Sequence, residues 1–284
     1  MSNDTSKSVR KIPHLTKSVS ALRAQKPSHP LPTVRALPVL TGYYQTLFSV
    51  YGPQHWWPGR SRFEVIVGAI LTQNTSWTNV ARAIANLRRE KLLDLPAIQR
   101  VPAPRLARLI RSSGYFRQKT RKLKAFASFV DQHYAGSLTR MFRTPTPKLR
   151  AELLVVHGIG PETADSILLY AGRHPVFVID AYTRRLLERH GLASPQNSYE
   201  QLRALFEQSL PASHQLFNEF HALIVHIGKT FCRKSAPLCH SCPLSAFLPS
   251  SSASPRNEHP RGTAPFAIVA SLPGSPAADR SSLP

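Results

Sequence analysis

Apolar residues recur along the middle of this chain with a helical beat. Phe63, Val67, Ile70 and Leu71 share one face, and Ala81, Ile84, Ala85 and Leu87 share another after a polar gap at 72–79. Further stripes follow at Leu106, Leu109 and Ile110, at Leu123, Phe126, Ala127 and Val130, and at Leu149, Leu153 and Leu154. Beyond a glycine pair come Ala164, Ile167 and Leu168, then Tyr182, Leu186 and Leu187, Leu202, Leu205 and Phe206, and Phe220, Leu223, Ile224 and Ile227. Short polar or Gly/Pro linkers separate these runs, which together predict about ten helices. Residues 176–179 are apolar and β-prone, but four residues do not make a sheet. The fold class expected is all-α, without an internal repeat.

Composition and charge narrow the partner. Apolar residues are 42% of 284, enough for a core, so collagen-like and fully disordered chains are excluded. No apolar run approaches the ~18 residues of a membrane span. The first residues lack the apolar stretch of a secretory signal, and three cysteines are too few for a disulfide scaffold. These features lead us to expect a cytoplasmic protein. The net charge is +22, which points to a polyanion. Segments 1–37 and 249–284 read as disordered tails, the first basic and the second rich in Ser, Pro and Ala. The remainder, 38–248, holds 27 of the 37 basic and 12 of the 15 acidic residues, so most of the charge belongs to the folded part. Arg100, Arg105, Arg108, Arg111, Arg117, Lys119, Arg121, Lys122 and Lys124 form an acid-free stretch. It reads as a phosphate-binding strip, or as a solvated helix face of unusual single sign.

Residues 153–170 carry the chemistry. A helix ends, Gly158-Ile159-Gly160 turns tightly, and Pro161 opens the next helix. Such a turn aims free N–H groups outward, as an anion site requires, although many helix hairpins contain Gly-x-Gly. Eighteen residues after Glu162 stands Asp180, directly behind four apolar residues. It reads as a partly desolvated carboxylate, as the N-cap of a new helix, or as both.

The order of these motifs resembles the endonuclease III, or helix–hairpin–helix, superfamily of DNA glycosylases. The resemblance rests on Gly158-Ile-Gly160 with Thr163-Ala, Val178-Ile-Asp180-Ala-Tyr, Gln73-Asn74-Thr, Gly114-Tyr115-Phe116-Arg117 and Cys232-x6-Cys239-x2-Cys242, over roughly residues 50–245. Trp56-Trp57-Pro58 with Trp77 is most similar to the branch that includes 3-methyladenine DNA glycosylase III.

That resemblance implies an enzyme that flips a damaged base out of double-stranded DNA and cuts its glycosidic bond. It implies two helical lobes with a DNA cleft between them, one of residues 64–177 and one of 38–63 plus 178–248. Asp180 is implied as the carboxylate facing the sugar cation, Gln73 as the plug with Asn74 beside it as a DNA contact, and Tyr115 or Phe116 as the wedge, with core packing the alternative for both aromatics; the resemblance also implies association with the nucleoid. Arg117, Lys119, Arg121, Lys122, Gly158, Gly160 and Thr163 are implied DNA contacts. Trp56, Trp57 and Trp77 are implied to line a base pocket, where indole faces attract a cationic alkylated purine; core packing is their alternative. Glu162 stands where lyase-active relatives have lysine. A carboxylate cannot form a Schiff base, so the enzyme is expected to be monofunctional and to act as a monomer. The alternatives are a bifunctional glycosylase/lyase for oxidised pyrimidines, a non-catalytic DNA-binding module, and a degenerate family member.

The family's cysteine loop holds a [4Fe-4S] cluster with four thiolates. Here Cys232, Cys239 and Cys242 keep the spacing, and Leu248 stands fourth. A cluster with a non-cysteine fourth ligand, a three-iron cluster, and an empty loop all remain open, as does zinc with His240 or His259. A bound cluster would hold Lys229, Arg233 and Lys234 against DNA.

Overall fold

The computed structural model describes residues 33–57 and 59–249. Twelve α-helices occupy them: α1 Thr33–Tyr51, α2 Arg62–Leu71, α3 Trp77–Arg89, α4 Leu95–Arg100, α5 Ala103–Leu109, α6 Phe116–Tyr134, α7 Leu138–Phe142, α8 Thr146–Val155, α9 Pro161–Ser166, α10 Ala181–Arg189, α11 Tyr199–Ser209 and α12 His214–Thr230. Among the described residues there is no strand, and no helix is long and apolar enough to cross a membrane. Helix α1 begins at Thr33, inside the segment read as irregular, and runs through Pro38. Most of segment 1–37, the tail 250–284, Pro58 and His259 lie outside the described residues.

Local sequence sets the helix ends. Side chains of Ser61, Asp94, Ser137, Asp180, Ser198 and Ser213 each accept a bond from a backbone N–H of the first turn, which satisfies a donor that the helix itself cannot. Prolines open α4, α5, α8 and α9, where a missing N–H costs nothing.

The buried residues form two cores. The first gathers apolar residues from Phe63 to Val176, including Ile66, Ile70, Leu87, Phe126, Leu153 and Ile167. The second joins Leu40, Tyr43 and Leu47 of α1 to Leu169 and to residues from Phe177 to Leu244. Each fully buried Leu or Phe supplies about 1.5–3 kcal/mol. Leu154 departs from its predicted stripe and faces solvent.

Two short segments pass from one core to the other. Helix α9 continues as a π-helical turn, Ile167–Ala171, whose wider pitch puts Ile167 and Leu168 in the first core and Leu169 in the second. Residues 176–179 are extended and at most 3% exposed; Val176 belongs to the first core and the next three to the second. This explains four apolar residues in a row without a sheet. Phe177 stacks on Phe206 with ring centroids 3.8 Å apart. A polar network braces the same region. Arg150 of α8 holds the fully buried Asp165 with two bonds of 2.7 and 3.1 Å and reaches Glu200 of α11 at 2.7 Å.

Candidate active site and nucleic-acid interface

Asp180 ends the extended crossing segment and caps α10. Its Oδ1 accepts from the Thr183 N–H at 2.8 Å and the Thr183 hydroxyl at 3.0 Å. Its other oxygen, Oδ2, stands 3.6 Å from His221 Nε2, and the side chain is 14% exposed. Both sequence readings of this residue therefore hold for its surroundings: it caps a helix, and it is largely withdrawn from water. Burial pushes its carboxyl up, but the charge of His221 and the bonds from Thr183 outweigh that and hold it below the usual Asp value. At neutral pH it is an anion.

His221 and Tyr170 were not singled out from the sequence. His221 lies in α12 among Phe217, Phe220 and Ile224, and a histidine buried on an apolar helix face was the available signal. Its Nδ1 is hydrogen-bonded to the Tyr170 hydroxyl at 2.6 Å, and Tyr170 comes from the π turn. With Nδ1 so engaged, Nε2 is the nitrogen turned toward Asp180. Tyr170 also packs on Trp57 at 4.9 Å, Trp57 meets Trp77 edge-on at 5.2 Å, and Trp56 meets Trp57 at 5.7 Å. Lys229 lies over the Trp56 ring at 5.6 Å. The three tryptophans thus form one cluster, joined to the carboxylate through Tyr170 and His221. Trp57 and Trp77 also pack against the first core, so the core reading holds for them in part. The buried nitrogens Trp56 Nε1, Trp57 Nε1 and His221 Nε2 have no hydrogen-bond partner. His221 Nε2 nevertheless faces Asp180 Oδ2 at 3.6 Å, too long for a hydrogen bond but close enough for charge attraction; a buried donor left unpaired costs about 1–3 kcal/mol.

Glu162, in the first turn of α9, faces solvent on one side and this cluster on the other. Its pKa is raised to about 7, first by desolvation and then by the Asp180 charge, against a smaller pull from His221. Two carboxyls of opposite tendency therefore share the site, the arrangement that divides an anion from a proton carrier.

The hairpin joins α8 to α9. Gly158 takes φ +79°, and a Cβ there would lie 2.5–2.7 Å from three carbons of Lys122. Gly160 is extended and has open space around it. Gln73 sits against the hairpin: its amide donates to Gly158 O at 3.1 Å and Thr163 Oγ1 at 2.8 Å, and the Lys122 ammonium donates to its Oε1. Asn74 is exposed with φ +54°.

Several expected DNA contacts stand elsewhere than on the surface. Lys119 is 1% exposed and bonded to two backbone carbonyls, because its position on α6 faces inward. Thr163 is 6% exposed and engaged by Gln73. Phe116 packs against the first core, whereas Tyr115, with φ +44°, is 66% exposed. Lys124 turns back onto the carbonyls of Gln99 and Val101, and Arg105 pairs with Glu90 at 2.7 Å. Arg100, Arg108, Arg111, Arg117 and Arg121 remain exposed, fewer than the nine basic residues of the stretch.

The cysteine segment lies at the far end of α12. Cys232, Cys239, Cys242 and Leu248 line one pocket of about 270 Å³ including its open mouth, together with Arg189 and His190. The cysteines are unbridged. Burial raises the Cys242 thiol, and the other two cysteines add to the rise. Arg189 donates to Cys232 Sγ at 3.2 Å. As they stand, the described residues contain no group of three or more His, Cys, Asp or Glu arranged to hold a metal ion. By donor chemistry, three cysteine sulfurs could ligate three irons of a cluster if deprotonated on binding, and Leu248 offers no ligand at the fourth position. His190 does not replace the missing ligand. Its Nδ1 is bonded to the Tyr43 hydroxyl at 2.6 Å, and burial lowers its pKa to about 4. His240 is exposed and does not line the pocket, so zinc gains no support from it.

Known proteins share this arrangement. A protein of Methanocaldococcus jannaschii named as a DNA repair glycosylase is 47% identical over 206 residues, covering 72% of this chain and 93% of the relative. Endonuclease III of Sulfolobus acidocaldarius is 29% identical over 184 residues, covering 64% of this chain and 79% of its own length. The crystal structure of Helicobacter pylori 3-methyladenine DNA glycosylase bound to 1,N6-ethenoadenine superposes with a TM-score of 0.58 at 28% identity, covering 69% of this chain and 97% of that one. A non-covalent endonuclease III–DNA complex shares the fold with a TM-score of 0.65 at 22% identity, covering 74% and 94%. The profile of the HhH-GPD superfamily of base excision DNA repair proteins matches residues 67–212. With that match across its hairpin and its Asp180 segment, the chain belongs to the HhH-GPD superfamily and is a DNA glycosylase of base excision repair.

Proposed function

We propose that this glycosylase hydrolyses the bond between deoxyribose and an N-alkylated purine in duplex DNA and leaves an abasic site. The observation that carries the proposal is the ionised Asp180 paired with His221, which is joined through Tyr170 to Trp57 and Trp77. As the bond breaks, positive charge builds on the sugar, and a fixed anion in a largely dry setting stabilises it without reorganising. Asp180 also orients the attacking water. Indole faces favour a cationic base by about 1–2 kcal/mol when desolvated. Gln73 leaves its place on the hairpin to fill the gap behind the flipped base, and Tyr115 is the wedge, since Phe116 is committed to the core. The exposed arginines of the strip and the hairpin N–H groups take phosphates. Residues 63–176 and the remainder of 38–248 act as the two lobes that close on DNA, and the protein works as a monomer. Glu162 in place of a lysine makes water the nucleophile.

We also infer that Cys232, Cys239 and Cys242 hold an iron–sulfur cluster, which ties the loop of Arg233 and Lys234 against the backbone. A bound cluster would supply rigidity and charge there.

The test is base release from duplexes carrying 3-methyladenine, 7-methylguanine, 1,N6-ethenoadenine, thymine glycol or a G·T mismatch, with Asp180→Asn alongside and borohydride trapping as the lyase control. Release of alkylated purines by wild type alone, without trapping, is expected. A trapped adduct that survives Asp180→Asn and depends on a lysine would overturn the hydrolytic reading, and release only of thymine glycol would overturn the substrate.

A further inference from the structure

Polar bonds join the end of α2, the loop after it and the start of α3 to the segment around the start of α6. The Lys119 ammonium donates to Leu71 O at 3.0 Å and to Ser113 O at 2.6 Å. Leu71 is the last residue of α2, directly before the loop that carries Gln73. Ser113 ends a 3₁₀ turn, directly before Gly114 and Tyr115. One turn further along α6, Lys122 donates to Gln73 Oε1, and Ser112 Oγ donates to Asn79 O at 2.9 Å.

A lysine is an expensive way to fill this space. Its ammonium is withdrawn from water, and the desolvation, with Lys122 nearby, brings its pKa down to about 8. Packing alone would be served by methionine. What the ammonium adds is a donor for two carbonyls at the ends of helical turns, where no following turn can satisfy them. The two carbonyls belong to different loops, so a single charged group fixes the distance between them.

We propose that Lys119 is a positioning residue that couples the Gln73 loop and the Tyr115 loop into one two-pronged body, so that plug and wedge enter the duplex in one event. This rests on the reading of Gln73 and Tyr115 as the inserting residues. Two loops locked together lose less conformational freedom on insertion than two loops ordered separately. The lysine does not touch DNA; it acts through the residues it spaces.

The experiment needs no damaged base. The probe is a duplex carrying a tetrahydrofuran abasic-site analogue with 2-aminopurine as its neighbour, against an intact duplex of the same sequence. Wild type is expected to prefer the abasic duplex and to change the 2-aminopurine fluorescence. Lys119→Met is expected to keep its affinity for intact duplex, while its preference for the abasic duplex falls about tenfold and the fluorescence change is lost, as for a coupling worth one charged hydrogen bond. A Gln73→Ala, Tyr115→Ala cycle is expected to be non-additive in wild type and additive in Lys119→Met. If Lys119→Met does not fold, the wild-type cycle together with Ser112→Ala decides the question. An additive wild-type cycle overturns the coupling, as does a Lys119→Met protein that keeps full preference or loses intact and abasic binding in parallel. A wild type that neither prefers the abasic duplex nor perturbs 2-aminopurine overturns the insertion reading itself.

Discussion

The two glycines of the hairpin look alike in sequence and should fail differently. Gly158 has φ +79°, where an L-residue costs about 1–2 kcal/mol. A Cβ there would stand 2.5–2.7 Å from Cγ, Cδ and Cε of Lys122, so that side chain must move. Moving it breaks its bond to Gln73, a charged hydrogen bond worth about 1.5–3 kcal/mol when intact. Because Lys122 is only half-buried, part of that loss is recovered from water, and Gly158→Ala should cost about 2–4 kcal/mol in all. For a folded region of this size that lowers Tm by about 5–15 °C. Gly160 has φ −94° and ψ −179°, an extended conformation open to any residue, and no atom lies within 4 Å of its would-be Cβ. Gly160→Ala should therefore leave stability within about 0.5 kcal/mol of wild type. Its methyl group would instead meet an incoming phosphate and weaken binding to undamaged duplex by about tenfold, roughly one hydrogen bond. Thermal denaturation and fluorescence anisotropy with a fixed salt concentration measure the two effects. Equal Tm losses for both variants, or a Gly158→Ala protein as stable as wild type, would refute the reasoning from backbone angle and contact.

Removing the imidazole beside Asp180 should expose what burial does to that carboxyl. In wild type its pKa is depressed, so the anion is lost only as pH falls through a value below that of a free Asp; in His221→Gln burial is opposed by the Thr183 bonds alone and the acid limb of base release should move to higher pH, with an unmoved limb counting against the pairing. Arg150→Met strands Asp165 at 0% exposure and should cost about 3–5 kcal/mol in a urea titration, whereas Arg150→Met with Asp165→Leu should recover much of it. Leu248→Cys should raise iron and sulfide content and suppress the electron paramagnetic resonance signal of a three-iron cluster after mild oxidation; identical spectra for both proteins would argue that Leu248 does not face a cluster.

Much of this fold was written locally. Helix periodicity, the serine and aspartate caps and the prolines at helix starts depend on neighbours within a turn or two, and they are readable one segment at a time. Asp180 was visible for the same reason, as an acid behind an apolar run. What escaped was decided by distant packing. Nothing near Lys119 in sequence says that its ammonium meets Leu71 O, 48 residues earlier. A run of basic residues on a helix is read as surface, and this one is amphipathic enough to send Lys119 inward and Arg117 and Arg121 outward. Phe116 and Tyr115 are neighbours of similar character, and only the left-handed backbone at Tyr115 divides core from solvent. Tyr170 and His221 come together because a π turn rotates one of them toward the other, which no periodicity template anticipates.

The crossing segment at 176–179 has one more consequence. Its side chains are claimed completely by the two cores, Val176 by the first and the next three by the second, so a slip of one residue would expel Phe177 from its stack on Phe206 and change the neighbours of the others. The carboxylate that follows is thereby indexed by aromatic packing within the second core. The tryptophans, Glu162 and the hairpin that surround it sit on other elements and can be exchanged without disturbing that index. On the proposed reading, such a chain could change the walls around its carboxylate while the carboxylate itself keeps its place.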